Sequence, residues 1–151
     1  MFRKVLVPLD QSSEAEEVIS LIEGELAPDG EVILLQVVPP RKTTFIGGHV
    51  MFADQQQAND RAKAIGFCRG VVGRRGGDPE AWRCEVTIAD SVADGIVDFA
   101  KREGVDLIAM YTHDRKGLAR LIKGSIANEV KQSAPIEVRV FTPRELAAAT
   151  Q

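Results

Sequence analysis

The sequence predicts a parallel, doubly wound α/β sheet of five strands with helices on both faces, and three observations carry that prediction. Strand-like apolar runs alternate with helical patterns along the whole chain, and the run Val32-Ile33-Leu34-Leu35-Gln36-Val37-Val38 is apolar on both of its faces. The third is the passage from Leu107-Ile108-Ala109-Met110-Tyr111 through the loop Asp114-Arg115-Lys116-Gly117 to Gly124-Ser125-Ile126-Ala127. Strict alternation implies right-handed crossovers that bring each helix back onto a sheet face. A strand buried on both faces belongs in the middle of such a sheet. A helix starting just beyond the carboxyl end of a parallel strand offers backbone N–H groups and the positive end of its dipole to an anion.

Size and composition set the frame. With 151 residues, 44% hydrophobic and 27% charged, the chain fits one globular domain with a core. No apolar run is long enough to span a bilayer. The amino terminus turns polar too soon for a signal peptide, so a cytoplasmic protein with no membrane partner is expected. A net charge of -3 argues against nucleic acid, whose phosphates select basic surfaces. Cys68 and Cys84 have no metal-ligand spacing and are expected to be reduced and buried, and no metal site is expected.

Along the chain, Lys4 to Leu9 is a first strand, stopped by Pro8 and Asp10. Ser13-Glu14-Ala15-Glu16 matches a capping box for a helix whose stripe is Ala15, Val18, Ile19, Ile22 and Leu26, ended by Pro28-Asp29-Gly30. After the second strand, Val32 to Val38, Pro39-Pro40 opens a loop through Gly47-Gly48. A helix with the stripe Ala58, Ala62, Ile65, Cys68 and Val72 follows. Trp82 to Ile88 alternates as a half-exposed strand near an edge should. Ser91 caps a helix with the inner face Val92, Ile96, Phe99 and Ala100, and Gly104 ends it before the strand Asp106 to Tyr111. A fourth helix runs from Ser125 towards Ser133, Pro135 follows it, and Ile136 to Phe141 is the last strand. Ligands of such sheets bind beyond the carboxyl ends of the strands, where the strand order reverses. If the first and fourth strands flank that reversal, Pro8-Leu9-Asp10 faces Met110-Tyr111-Thr112.

Several of these segments resemble the universal stress protein family. Val5-Leu6-Val7-Pro8-Leu9-Asp10-Gln11-Ser12 is similar to its opening strand and Asp-x-Ser turn, Leu35-Gln36-Val37-Val38 to its second strand and Val105 to Met110 to its fourth. Its signature loop has Gly, two residues, Gly, nine residues, then Gly-Ser or Gly-Thr. Gly124-Ser125 fits the end of that frame, but Tyr111 and Asp114 occupy the first two glycine positions. The resemblance implies the strand order 3-2-1-4-5 of the adenine-nucleotide alpha-hydrolase-like folds, a domain over residues 1–142, a homodimer, and ATP or AMP, with Mg, in some members. It further implies that Asp10 accepts from the adenine amino group and Val38 holds the base. Pro8 and Met110 would border the ribose, and Gly124, Ser125 and Ile126 would meet the phosphates. Asp10 is equally suited to a turn or helix-capping role.

The two departures bear on phosphate. A side chain at Tyr111 or Asp114 removes the close backbone approach that glycine allows. A carboxylate about 5 Å from a phosphate oxygen, at an effective dielectric of about 20, repels it by on the order of 3 kcal/mol per unit charge. That is roughly a hundredfold in affinity. Arg115, Lys116, Arg120 and Lys123 would oppose this, or Asp114 pairs with a neighbour in a solvated loop. Tyr111 either stacks on a flat ligand or fills the ribose pocket.

The remaining candidates are less specific. His113 beside Asp114 has no Ser or Cys nucleophile arranged with it, so no catalytic residue is assigned. His49 lies in the apolar loop 45–52, which either folds over the crevice and sheet edge or forms a patch for a protein partner. Glu137 and Arg139 share one face of the last strand, opposite Ile136, Val138 and Val140. They guard an exposed edge, or they pair across a twofold axis with Val138 at the contact. Thr142-Pro143-Arg144-Glu145 resembles a helix start in a tail over residues 143–151. Three functions stand open: a regulatory interaction domain with a degenerate nucleotide site, a working ATP or AMP binder with an altered phosphate loop, and a hydrolytic enzyme.

Overall fold

The computed structural model describes residues 1–113 and 125–149. Strand β1 (Phe2–Pro8) leads to α1 (Ser13–Ile22), a 3-10 turn (Glu23–Glu25) and the long β2 (Leu26–Val38). A hairpin of β3 (Thr44–Ile46) and β4 (His49–Met51) precedes α2 (Ala53–Arg74), β5 (Trp82–Ile88), α3 (Val92–Glu103) and β6 (Leu107–Tyr111). After the segment 114–124 come α4 (Ile126–Ser133), β7 (Glu137–Phe141) and α5 (Pro143–Ala149).

The main sheet has the order β5-β2-β1-β6-β7, every pairing parallel. Counted along the chain, its five strands therefore run 3-2-1-4-5, and β2, β1 and β6 occupy the centre as their continuous apolar character requires. Along β1, Val5, Leu6 and Val7 are all fully buried. Alternation sends Val5 and Val7 to the side of α1 and α2, with Ile19, Leu34 and Val71. Leu6 joins Ile33, Ile96, Ile108 and Val130 on the side of α3 and α4. Truncating any of these side chains to Ala removes about 2–5 kcal/mol of stability.

The element boundaries differ from the sequence-based expectation in four places, each with a local reason. The helix cap is Ser12, whose Oγ accepts from the Ala15 N–H at 3.2 Å, and not Ser13. Glu16 is thereby freed from a capping box and turns inward to pair with Arg74 (2.7 Å) and Arg75 (3.5 Å) of α2. Helix α1 stops at Ile22, and Leu26 opens β2, where it pairs with Phe2. Strand pairing there outweighs a helical stripe that had only one more apolar position to offer. In α2 the inward stripe is Ala64, Cys68, Val71 and Val72, while Ala58 and Ala62 face solvent. Alanine is small enough to suit either face, so it marked the stripe poorly. Val92 is exposed at the mouth of a cavity, and the inner face of α3 is carried by Ala93, Ile96, Val97, Phe99 and Ala100.

The loop 45–52 neither covers the crevice nor the sheet edge. Gly47 and Gly48, with φ of 57° and 79°, form the two-residue turn of a β-hairpin, a conformation glycine adopts without strain. Its apolar side chains point to solvent, with Phe45 77% and Phe52 60% exposed. The tail forms a capped helix: Thr142 Oγ1 accepts from the Glu145 N–H, and the Glu145 carboxylate accepts from the Thr142 N–H. Leu146 is buried there. No helix among the described residues is long and apolar enough to cross a membrane.

Candidate functional site

The chain order places the carboxyl ends of β1 and β6 side by side, at the point where the strand order reverses. Pro8, which has no N–H to donate, ends β1, and Leu9 makes one last bond to the Leu35 carbonyl at 2.8 Å. A tight turn follows. Asp10 Oδ1 accepts from the Ser12 N–H at 2.9 Å and from the Ser12 hydroxyl at 2.5 Å, while Gln11 between them takes a φ of 69°. A left-handed conformation at a residue with a side chain is a local strain, and such strain concentrates at functional sites.

Across the crevice, β6 ends with Thr112, whose N–H bonds the Phe141 carbonyl at 2.9 Å. That turn delivers His113 Nε2 to within 2.8 Å of Asp10 Oδ2, while the imidazole stands edge-on to the Tyr111 ring at 4.8 Å. Partial burial pushes the Asp10 carboxyl up. The hydrogen bonds from Ser12 and His113, with the His113 charge, outweigh it and hold the group below its ordinary value. Asp10 therefore serves as a turn residue and also as one half of a bridge over the crevice mouth.

Leu9 and Asp10 divide the crevice into two compartments. The first, about 350 Å³, lies between the ends of β1 and β6 and the starts of α3 and α4, with Pro8, Met110, Tyr111, Val92, Ser125 and Ile126 on its walls. Its surface is mostly apolar. The second, about 300 Å³, lies between the ends of β1 and β2 and the flank of α2, lined by Gln11, Gln36, Val38, Arg41, Asp60 and Lys63. Gln57 fixes its rim by accepting from the Arg41 N–H at 2.8 Å and donating to the Pro39 carbonyl at 3.2 Å. Arg41 Nε and Nη2 grip the Asp60 carboxylate at 2.5 and 3.0 Å.

The candidate nucleotide residues thus divide between the two spaces. Pro8, Met110, Ser125 and Ile126 border the first, Val38 the second, and Asp10 both. Ser125 caps α4, its Oγ accepting from the Asn128 N–H at 3.1 Å. Tyr111 is part of the wall of the first compartment, and its side chain packs against the core on the side of the sheet that carries α1. Gly124 and Asp114 lie outside the described residues, as do Arg115, Lys116, Arg120 and Lys123.

On β7, at the sheet edge, Arg139 Nε lies 3.1 Å from Glu137 within the same chain. Its Nη1 reaches the Glu25 carboxylate, and the guanidinium sits 5.1 Å from the Phe2 ring centre. Val138 is half-buried on the α4 side. Cys68 and Cys84 are free, and burial, with the neighbouring Cys84, pushes the Cys68 thiol up to about 12. Among the described residues no group of three or more His, Cys, Asp or Glu side chains is placed to hold a metal ion.

The fold agrees with comparison to known proteins. The model of the universal stress protein family matches residues 1–142 of the chain. This chain belongs to the universal stress protein family. Among solved structures it is similar to a universal stress protein in complex with cAMP, at 14% identity and a TM-score of 0.68, covering 93% of this chain and 97% of that one. It is also similar to a universal stress protein from Lactobacillus plantarum, at 19% identity and a TM-score of 0.63, covering 92% and 97%. A family member from Arabidopsis thaliana with AMP bound matches at 16% identity and a TM-score of 0.60, covering 96% and 98%. No curated protein sequence matches the chain. At these identities the likenesses establish the fold of this universal stress protein domain.

Two members of the crevice escaped the sequence. The sequence sets His113 beside Asp114, whereas its partner is Asp10, 103 residues away. Gln36 lies in an otherwise apolar strand and belongs to no motif, yet it is 4% exposed and its Nε2 has no hydrogen-bond partner among the described residues. A signal was available: a single amide inside a strand buried on both faces must find a partner or be left without one.

Proposed function

We propose that this universal stress protein domain is a non-enzymatic regulatory module of the stress response whose crevice keeps the space for a nucleoside but binds ATP weakly. The observation that carries this reading is the engagement of Asp10. Its carboxylate already accepts three hydrogen bonds, from the Ser12 N–H and hydroxyl and from His113, before any ligand arrives. About four lone-pair sites on a carboxylate leave one for an exocyclic amino group. The open compartment at Pro8 and Met110 suits a sugar, and the loop beyond it carries Tyr111 and Asp114 where phosphate needs glycine.

The non-enzymatic part rests on geometry. Ser12, Asp10 and His113 are in contact, but the carboxylate stands between the hydroxyl and the imidazole. A serine nucleophile needs the histidine next to it, with the acid behind. Here the Ser12 hydroxyl donates to Asp10 and supports a helix cap.

Calorimetry with Mg-ATP and AMP tests the proposal. Wild type should bind Mg-ATP weakly or not measurably, and Tyr111→Gly with Asp114→Gly should gain roughly a hundredfold. Submicromolar Mg-ATP binding by wild type would favour the second reading, a working nucleotide binder, for which the open first compartment speaks.

The domain is further proposed to form a homodimer through β7. Its free edge and the Glu137 and Arg139 pattern support this, although both Arg139 contacts with carboxylates are satisfied within one chain and would have to re-form across an axis. Light scattering at micromolar concentration should give twice the 16.4 kDa chain mass. Val138→Pro, which removes a backbone donor, should lower it. A monomeric wild type rules the dimer out.

A further inference from the structure

The β3–β4 hairpin and the residue after it carry five of the nine large apolar side chains that are exposed among the described residues: Phe45, Ile46, Val50, Met51 and Phe52. Apolar side chains scattered singly over a surface need no explanation, but five on one hairpin form the kind of patch that marks an interaction site. The hairpin is fastened at its base. The Ala53 N–H donates to Thr43 Oγ1 at 3.1 Å and Gln56 Nε2 to the Met51 carbonyl at 2.9 Å, while Gln57 and Asp60 of α2 hold Arg41. A two-stranded hairpin alone is marginal in water, so these bonds present its apolar side chains in one orientation and lower the cost of ordering them against a partner.

The two faces of the hairpin differ. Phe45 stands directly opposite Val50, and alternation puts Phe52 on the same side, which is wholly apolar. The other side is mixed, with Thr44 and His49 beside Ile46 and Met51. We propose that the face of Phe45, Val50 and Phe52 is a self-association surface that packs against the same face of a second copy of this chain across a twofold axis. Charge and area select that occupant. A twofold contact sets a patch against itself, so a fixed charge would meet its own sign, and residues 43–53 contain no Asp, Glu, Lys or Arg. At 77% and 60% exposure the two Phe side chains, with Val50, supply roughly 300 Å² of apolar surface per copy. A polar rim of similar extent brings this to about 600 Å² per partner, the low end for specific interfaces, so the contact is weak and forms at tens of micromolar or above. A lipid surface fits less well. Arg41 and Lys42 are the only Lys or Arg beside the patch and Asp60 holds the first, whereas anionic membranes recruit larger cationic clusters. The outer edges of β3 and β4 would also lack partners in hydrocarbon.

This surface is separate from the β7 edge, and the two contacts are distinguishable. Sedimentation of wild type from on the order of 1 to 300 µM should show the mass doubling in the upper part of that range, whatever its value at the lower end. Phe45→Ser with Phe52→Ser should lose the doubling and melt within about 2 °C of wild type, because both side chains are exposed. Ile46→Lys, on the opposite face, should keep it, and so should Val138→Pro, which addresses only β7. A wild-type mass that is the same at both ends of the range overturns the proposal. So does doubling that persists in the double serine variant, or that Ile46→Lys abolishes equally. Wild type that stays unassociated and instead sediments with phosphatidylglycerol vesicles overturns it in favour of a membrane.

Discussion

The two ends of the sheet are built on opposite principles. At the amino-terminal end the polar groups are closed off against one another. The Asp106 carboxylate accepts from the N–H groups of Arg3 and Lys4, both at 2.9 Å, and its own N–H bonds the Lys4 carbonyl. Lys4 Nζ caps the Glu103 carbonyl at 3.1 Å, and Arg83 gathers Glu31, Glu85 and Glu103 at 2.9, 3.0 and 2.6 Å. Arg83 Nε is out of hydrogen-bond alignment with Glu85, so charge compensates it there. Space is equally exhausted: a Cβ on Gly30 would lie 2.9 Å from the Ala27 carbonyl oxygen and 3.2 Å from that of Phe2.

At the carboxyl-terminal end the chain accepts a strained Gln11, an unpaired Gln36 amide, two open compartments and an exposed apolar hairpin. The same five strands supply both ends. The difference teaches that one end is closed by its own polar groups while the other leaves open space, and on an open parallel sheet that is the end where ligands bind.

Three substitutions probe this contrast. Gly30→Ala should have the largest effect, about 2 kcal/mol of lost stability by denaturant titration, because the new methyl meets backbone that cannot swing aside. A neutral result would mean that the closed end has slack. Asp106→Ala should cost about 1.5 kcal/mol, the worth of charge-assisted bonds to two N–H groups that water can partly replace. Adenosine affinity, measured on the same protein, should stay put, and a parallel loss would show that the ends are coupled.

His113→Ala should be the mildest, about 0.5 kcal/mol, since the pair with Asp10 is half-exposed and screened. Its pH dependence has a definite sign. The Asp10 carboxyl is held below its ordinary value in the folded chain, so its contribution is complete above the unfolded carboxylate range and fades as pH falls through the folded value. The melting-temperature gap between wild type and variant should therefore narrow as pH falls from the ordinary aspartate value of about 4 through the lower folded one. A gap that widens on acidification would break the assignment of Asp10 as the ionised partner.

How far the sequence reached can be judged element by element. Val5-Leu6-Val7 and Val32 to Leu35 announced central strands because burial on both faces leaves no polar alternation to misread. Thr142 and Glu145 announced the α5 cap because a capping box is local, with its partners three residues apart. Pro8, Asp10, Met110 and Ser125 were picked out through the family motif, and they do converge on one crevice. The α2 stripe was misassigned at Ala58 and Ala62, and the helix cap was displaced from Ser12 to Ser13, because alanine and adjacent serines carry little positional signal.

By itself, then, the sequence determined the alternation of strands and helices, the membership of the central strands and the family. Those are properties of periodicity and local motif, stored in neighbouring residues. Only the tertiary structure decided that Asp10 takes His113 as its partner from 103 residues away, that Leu9 and Asp10 divide the crevice, and that Gln36 Nε2 is buried with no partner among the described residues. Each of these depends on which strand ends lie side by side, and hydrogen bonds reach only about 3 Å. Pairing at that range is fixed by the packed sheet, which no local stretch of sequence contains.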